Sequence, residues 1–183
     1  MSGEEATQRK PRPVYLALGS NVGDRRLNLR EALARLACLG TVSTVAGLFE
    51  TAPVGVTDQP AFYNSACGFV TDLSLRQLLI EAKRIEWELG RRPARVWGPR
   101  PIDIDIVLAA SETIDEPDLV VPHPRLPERA FVLAPLSEIA GEMMHPVLNK
   151  TVAELLAALP PEENAGVGRI SGPGWEVEQV RGA

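Results

Sequence analysis

Two aspartates, Asp103 and Asp105, sit two positions apart near the end of a run from Arg95 to Leu108 that reads RVWGPRPIDIDIVL. The second half of that run alternates as a strand does. Ile102, Ile104, Ile106 and Leu108 fall on one face, and Asp103 and Asp105 on the other. Their Cα atoms would lie roughly 6.6 Å apart. At that distance two unit charges repel by about 2.5 kcal/mol at an effective dielectric of about 20. A hard divalent cation bound through carboxylate oxygens offsets such repulsion, and magnesium characteristically arrives with nucleotide phosphates. A solvent-facing strand with hydrated acids is the competing reading of Asp-x-Asp alone. The Trp97-Gly98-Pro99-Arg100 turn favours the first reading. It sets an aromatic ring and a guanidinium beside the acids, which suits a polyphosphate with its metal ions. The chemistry this points to is phosphoryl-type transfer from a magnesium nucleotide, with aspartates holding metal and arginines clamping phosphates. No protein nucleophile is needed, because the acceptor can bring its own hydroxyl.

Other nucleotide signatures are missing. There is no Gly-x-x-x-x-Gly-Lys-Ser/Thr loop, no Gly-x-Gly-x-x-Gly between strand and helix, and no Gly-x-Ser-x-Gly elbow. The chain has 183 residues, a net charge of −5 and 45% hydrophobic residues, which suits one soluble domain. The acidic balance argues against a general nucleic-acid binder. Against it stands a local basic cluster, Arg84, Arg91, Arg92, Arg95 and Arg100, better matched to a small anionic ligand. Cys38 and Cys67 show no metal spacing. Each lies among apolar residues and is expected as a buried free thiol, which fits a reducing cytoplasm. No stretch reads as a signal region or a membrane span. His123 and His145 are too few for a zinc cluster.

The elements that must position these residues follow from patterning. Residues 1–12 read as a disordered lead-in, 13–160 as a single domain without a second core, and 161–183 as a loosely ordered tail rich in Gly, Pro and Glu. Val14 to Gly19 reads as a strand. Asp24 caps a helix with a Leu29, Leu33, Leu36 stripe, and Gly40 ends it. A second strand is expected from Thr41 to Thr51 and a third from Ala61 to Thr71, with an irregular loop between them. Ser74 caps a helix whose stripe is Leu75, Leu78, Leu79, Ala82, Ile85 and Leu89, and Gly90 closes it. The aspartate strand comes fourth. This order is β-α-β-β-α-β, an α+β, ferredoxin-like core with a mainly antiparallel sheet, helices packed on it and a C-terminal extension. Asp118 to Pro122 adds a short strand, and Leu133–Ile139 and Val152–Leu159 short helices.

The chain resembles the 6-hydroxymethyl-7,8-dihydropterin pyrophosphokinase family over about residues 13 to 160. The matching stretches are Ala17 to Asn21; Thr51 to Gly55 with Asp58 to Pro60 and Phe62 to Asn64; Arg84 to Glu86; Trp97 to Arg100 with Asp103 to Asp105; and Val121 to His123 followed by Arg129 to Phe131. The resemblance implies transfer of pyrophosphate from ATP to the pterin hydroxymethyl oxygen with release of AMP, a step of folate biosynthesis. It implies two magnesium ions on Asp103 and Asp105, with Arg91 and Arg100 as catalytic guanidiniums. Lys83, Glu86, Arg92, Trp97, Arg100, Ile106, His123 and Arg129 are implied around ATP. Thr51, Ala52, Val54, Phe62, Asn64, Asp103 and Phe131 are implied around the pterin. A flat heteroaromatic wants aromatic faces, and its polar edge wants an amide that both donates and accepts, which Asn64 supplies. The expected partners are ATP and the pterin, without nucleic acid or membrane, and the expected state is a monomer.

The sequence also departs from the family pattern. Lys83 stands where many relatives carry glutamine. The arginine loop is short and stiffened by Pro93, Val96 replaces an arginine, and either Arg92 or Arg95 serves for a displaced one. Pro124 follows His123 where some relatives have tyrosine. Asp-x-Asp also occurs in nucleotide-sugar transferases and polymerase palms, and the same scaffold can serve as a non-catalytic binding domain.

Overall fold

The computed structural model describes residues 10–53, 58–93 and 98–177. In chain order the elements are β1 (Arg12–Ser20), α1 (Arg25–Leu36), β2 (Thr41–Val45), β3 (Leu48–Thr51), β4 (Phe62–Thr71), α2 (Leu75–Glu88) and β5 (Asp103–Leu108). There follow β6 (Ile114–Glu116), β7 (Leu119–Val121), a 3-10 turn (Leu126–Glu128), α3 (Ala130–Ala140), β8 (Met144–His145), β9 (Lys150–Thr151), α4 (Val152–Ala157), α5 (Pro161–Ala165) and β10 (Val167–Ser171). The main sheet runs β10-β3-β4-β1-β5, with β2 also on β4, and every pairing in it is antiparallel.

Strand alternation splits the side chains of this sheet between two faces. Val14, Leu16, Leu18, Cys67, Phe69, Ile102, Ile104 and Ile106 pack with the stripes of α1 and α2. Ala66, Val107 and Leu108 pack with α3 and α4. Two apolar clusters therefore replace the single core expected, because helices cover both faces. The two N-terminal helix caps act as the sequence suggested, whereas α1 ends at Leu36 with Ala37 as its C-cap, short of the expected Gly40. The Asp24 side chain accepts from the Leu27 N–H, and Ser74 with Gln77 forms a reciprocal capping box at the start of α2. Gly90 ends α2 at φ +93°.

The structure corrects five expectations. The strand expected over Thr41–Thr51 is two strands, since Gly47 leaves the ladder and gives its N–H to Glu138 Oε2 at 2.7 Å. Leu108 does not share the face of Ile102, Ile104 and Ile106. The register steps from Leu16↔Ile106 to Tyr15↔Leu108, a bulge that turns Leu108 into the other cluster. Cys38 is exposed, because it lies in the turn after α1, whereas Cys67 is buried and its thiol is pushed up to about 12 by burial. The C-terminal region is not a loose tail over residues 161–177. It contributes α5 and β10, and Trp175 is fully buried. At the other end, Arg12 already belongs to β1, where it pairs with Glu112 at 2.9 Å.

Ser74→Ala should lower stability by about 1 kcal/mol, since it removes the cap on α2. A fall in the urea midpoint with an unchanged slope would register that loss.

Candidate active site

Register alone lays out the floor of the site. On β1, Gly19 lies opposite Asn64 of β4 on one side and Asp103 of β5 on the other. One step along, Ala17 lies between Ala66 and Asp105. The amide and the two carboxylates thus share one face of three adjacent strands, with only small residues between them. A Cβ added to Gly19 would come within 3.0 Å of Asn64 Oδ1. The floor opens into a cleft of about 690 Å³ walled by the end of α2, the 91–93 and 98–100 segments, the start of α3 and residues 51–52.

The expected nucleotide-side residues Lys83, Glu86, Arg91, Arg92, Arg100, His123 and Arg129 all line this cleft, as do Asp103 and Asp105. Thr51, Ala52, Phe62, Asn64 and Phe131 line it too. Ile106 does not. It points into the α1/α2 side of the interior, on the opposite face of β5 from the aspartates. Trp97 and Val54, with Arg95, lie outside the described residues.

Asp103 is the most heavily engaged group. Its carboxylate meets Arg100 Nη2 at 2.8 Å and is bonded by Arg91 Nη1. Burial would raise its pKa, but Arg100, Arg91 and Lys83 outweigh that and hold it below the ordinary carboxylate range. Asp105 goes the other way. Burial, then the charge of Asp103, push its pKa up, and its nearest ion-pair partner is Arg129 at 3.8 Å. Glu86 is 2% exposed, so it is no surface acid. Its Oε1 accepts from the Ile104 N–H at 2.8 Å, covering the open edge of β5, and meets Arg91 Nη1 at 2.7 Å. Lys83 Nζ lies 3.0 and 3.1 Å from its two oxygens. Burial raises the Glu86 pKa, with Lys83 and Arg91 pulling against it.

The residues expected around the pterin are likewise engaged with neighbours. Asn64 donates from Nδ2 to Thr51 Oγ1 at 2.7 Å, and both residues are buried. Phe62 and Phe131 each carry a guanidinium over the ring, Arg100 at 5.0 Å and Arg129 at 5.7 Å. Both arginines therefore touch the aromatic and the acidic sides of the cleft. The buried Nε of Arg100 has no acceptor among the described residues.

Several contributors escaped sequence reasoning. Asn21 is 1% exposed and ties three segments together. Its Nδ2 donates to Gln59 Oε1 and Pro60 O, and its Oδ1 accepts from the Arg100 N–H at 2.8 Å. The signal available was a buried-type polar residue closing the Gly19-Ser20-Asn21 turn. Trp87 lines the cleft with Arg92 stacked at 4.0 Å over its ring. Arg125 and Gln59 also line it.

Six cationic side chains face three acidic ones along the cleft wall, an excess of positive charge in a protein whose net charge is −5. Among the described residues no group of three or more His, Cys, Asp or Glu gathers as a metal cage. Two carboxylates on one face still fit a hard divalent ion that takes the rest of its shell from phosphate oxygens and water. The weakly paired Asp105 is the oxygen donor least committed to protein.

A sequence profile of the 7,8-dihydro-6-hydroxymethylpterin-pyrophosphokinase (HPPK) family matches residues 15–141. The chain belongs to this family. It is 48% identical over 132 residues to the 2-amino-4-hydroxy-6-hydroxymethyldihydropteridine pyrophosphokinase of Bacillus subtilis, covering 71% of this chain and 79% of that one. It is 43% identical over 141 residues to the folic acid synthesis protein fol1 of Pneumocystis carinii, covering 76% of this chain. The chain spans only 19% of that longer protein. In fold it is similar to Plasmodium falciparum HPPK-DHPS, with a TM-score of 0.67 and 18% identity, covering 83% of this chain and 45% of that one. No helix among the described residues is long and apolar enough to cross a membrane.

His123 supplies a pH test of the HPPK cleft. Its Nδ1 accepts from the Arg125 N–H at 3.1 Å, which leaves the proton of the neutral ring on Nε2. Burial, then Arg129 and Arg125, push its pKa from 6.5 down to about 4. Between those values the unfolded chain binds the proton and the folded chain does not, so this residue costs stability as pH falls through that window. His123→Asn keeps an acceptor and removes the titration. Denaturant midpoints at pH 7 and pH 5 should fall less in the variant than in the parent.

Proposed function

We propose that this chain transfers pyrophosphate from ATP to the hydroxymethyl oxygen of 6-hydroxymethyl-7,8-dihydropterin, releasing AMP, in folate biosynthesis. The observation that carries the reading is the shared face of Asn64, Asp103 and Asp105 across Gly19 and Ala17. It sets a pterin-type amide and a phosphate-type carboxylate pair two strand spacings apart, about 10 Å. A pterin on the Asn64 side would thus direct its hydroxymethyl group toward phosphates held over the aspartates.

The pterin lies against Phe62 and Phe131, and its polar edge bonds to Asn64, whose own orientation Thr51 fixes. Ala52 borders the ring, and the family resemblance adds Val54 to this side. The triphosphate takes the place of Asp103 as the partner of Arg91 and Arg100, and Arg100 Nε gains its missing acceptor. Glu86, on α2, positions Arg91 by pairing with it at 2.7 Å. His123 donates from Nε2, while Lys83, Arg92 and Arg129 complete the nucleotide side, to which the family resemblance adds Trp97. Ile106 has no direct contact in this reading. Magnesium, held by Asp103 and Asp105 with ATP, would supply charge neutralisation between the phosphates and the carboxylates. Holding both substrates in line and excluding water is what the protein contributes to rate, since the acceptor brings its own nucleophile. The chain acts as a monomer within the cytoplasm, in keeping with its free thiols.

AMP should form only when ATP and hydroxymethyl-dihydropterin are both present. Formation of ADP, or of pyrophosphate from ATP, would refute the reading. Asp105→Asn should cut turnover by about a hundredfold or more, because a charge that balances the metal-phosphate assembly is lost. The same change should leave thermal stability level or raised, since it removes like charge beside Asp103.

A further inference from the structure

The C-terminal segment lies beyond residues 15–141, the part matched to the family, yet it closes on the strand that carries Thr51. Three ties hold it there. β10 pairs with β3 so that Val167 lies opposite Thr51 and Arg169 opposite Phe49. Arg169 Nε meets Glu138 Oε1 of α3 at 2.8 Å, and the other oxygen of that carboxylate accepts from Gly47, just before β3. Trp175 crosses to the opposite face and is 0% exposed within the α1/α2 cluster, where it packs in the same cluster as Leu48. Its Nε1 donates to Ala46 O at 2.9 Å. The same carbonyl accepts from Ser65 Oγ at 3.2 Å, and Ser65 lines the cleft next to Asn64.

β3 is four residues long and pairs with β4 through only Phe49, Glu50 and Thr51. So short a strand has little of its own to fix its seat, and the Asn64–Thr51 bond depends on that seat. We propose that Trp175 is a positioning residue, and that residues 167–175 clasp β3 from both faces so that Thr51 and Asn64 are presented to the pterin. This rests on the reading of Thr51 and Asn64 as pterin contacts. Loosening the clasp lowers the fraction of molecules with a competent pterin subsite and weakens pterin binding in proportion. Most of the ATP side hangs on β5, α2 and the 98–100 segment, at the far edge of the sheet, and its one residue at the start of α3, Arg129, is pinned by its own pairing with Asp105 rather than by Glu138.

The test uses the full chain with four substitutions. Trp175→Phe keeps a buried ring and removes the Nε1 donor. Glu138→Ala independently removes the Arg169 pair and the acceptor for Gly47. Each should raise KM for hydroxymethyl-dihydropterin about fivefold, the worth of one buried hydrogen bond, with kcat and KM for ATP within about twofold. Leu36→Ala in α1 is the matched destabilised control, and should lower the melting temperature without moving KM for the pterin. Asn64→Ala should raise KM for the pterin more than about tenfold, since a paired ring edge is lost. If Asn64→Ala does so while Trp175→Phe and Glu138→Ala leave it unchanged, or shift KM for ATP equally, the clasp is overturned and the site reading stands. If Asn64→Ala leaves it unchanged, the reading of Thr51 and Asn64 fails and takes the clasp with it. Should Trp175→Phe not fold, Glu138→Ala decides alone.

Discussion

The charge balance around Asp103 governs how this cleft is built. Its carboxylate and that of Asp105 project from the same side of an edge strand, and neither could be buried unpaired. Arg91 and Arg100, from the two described ends of the connection between α2 and β5, both approach and neutralise Asp103. Glu86 then meets Arg91 from beneath and covers the exposed Ile104 N–H. The acids therefore recruit the arginines before any ligand is present. A polyphosphate entering here would exchange with carboxylates that already hold the guanidiniums in place, which would leave little side-chain ordering to be done at binding.

The central strand makes room for that exchange. β1 is buried between β4 and β5, and its cleft-facing positions are Ala17 and Gly19. Larger side chains there would fill the space between Asn64 and the acids. The opposite face of the same strand carries Val14, Leu16 and Leu18, fully packed. One strand thus anchors the interior on one side and leaves the other side open, a division set by the two-residue period of the backbone.

Much of this was legible in the sequence because it is local. The alternation around Asp103 and Asp105, the Asp24 and Ser74 caps and the leucine stripes of α1 and α2 all depend on near neighbours, and they appear in the structure. What was not legible depends on distant partners. The break at Gly47 is made by Glu138 and the C-terminal chain. The turn of Leu108 to the other face arises from a bulge against Leu16 and Tyr15. Gly- and Pro-rich composition hid the fact that Trp175 has a waiting site in the interior. Asn21 was visible as part of a matching stretch, but its three bonds to two other loops were not. Of the residues implied by resemblance, Ile106 is the one whose alternation argued against a place in the cleft, and the structure follows the alternation.

The excess of cationic side chains inside an acidic protein gives the field a short and a long range of opposite sign. Far from the surface, a nucleotide polyanion would meet a body of net charge −5. Within the cleft it would meet Arg91, Arg92, Arg125 and Arg129. At physiological ionic strength the Debye length is about 8 Å, so the distant repulsion is largely screened while contacts within the cleft are not. Dilute buffer would expose the repulsion and slow capture. Moderate salt therefore favours encounter here, the reverse of what a uniformly basic nucleotide-binding surface would show.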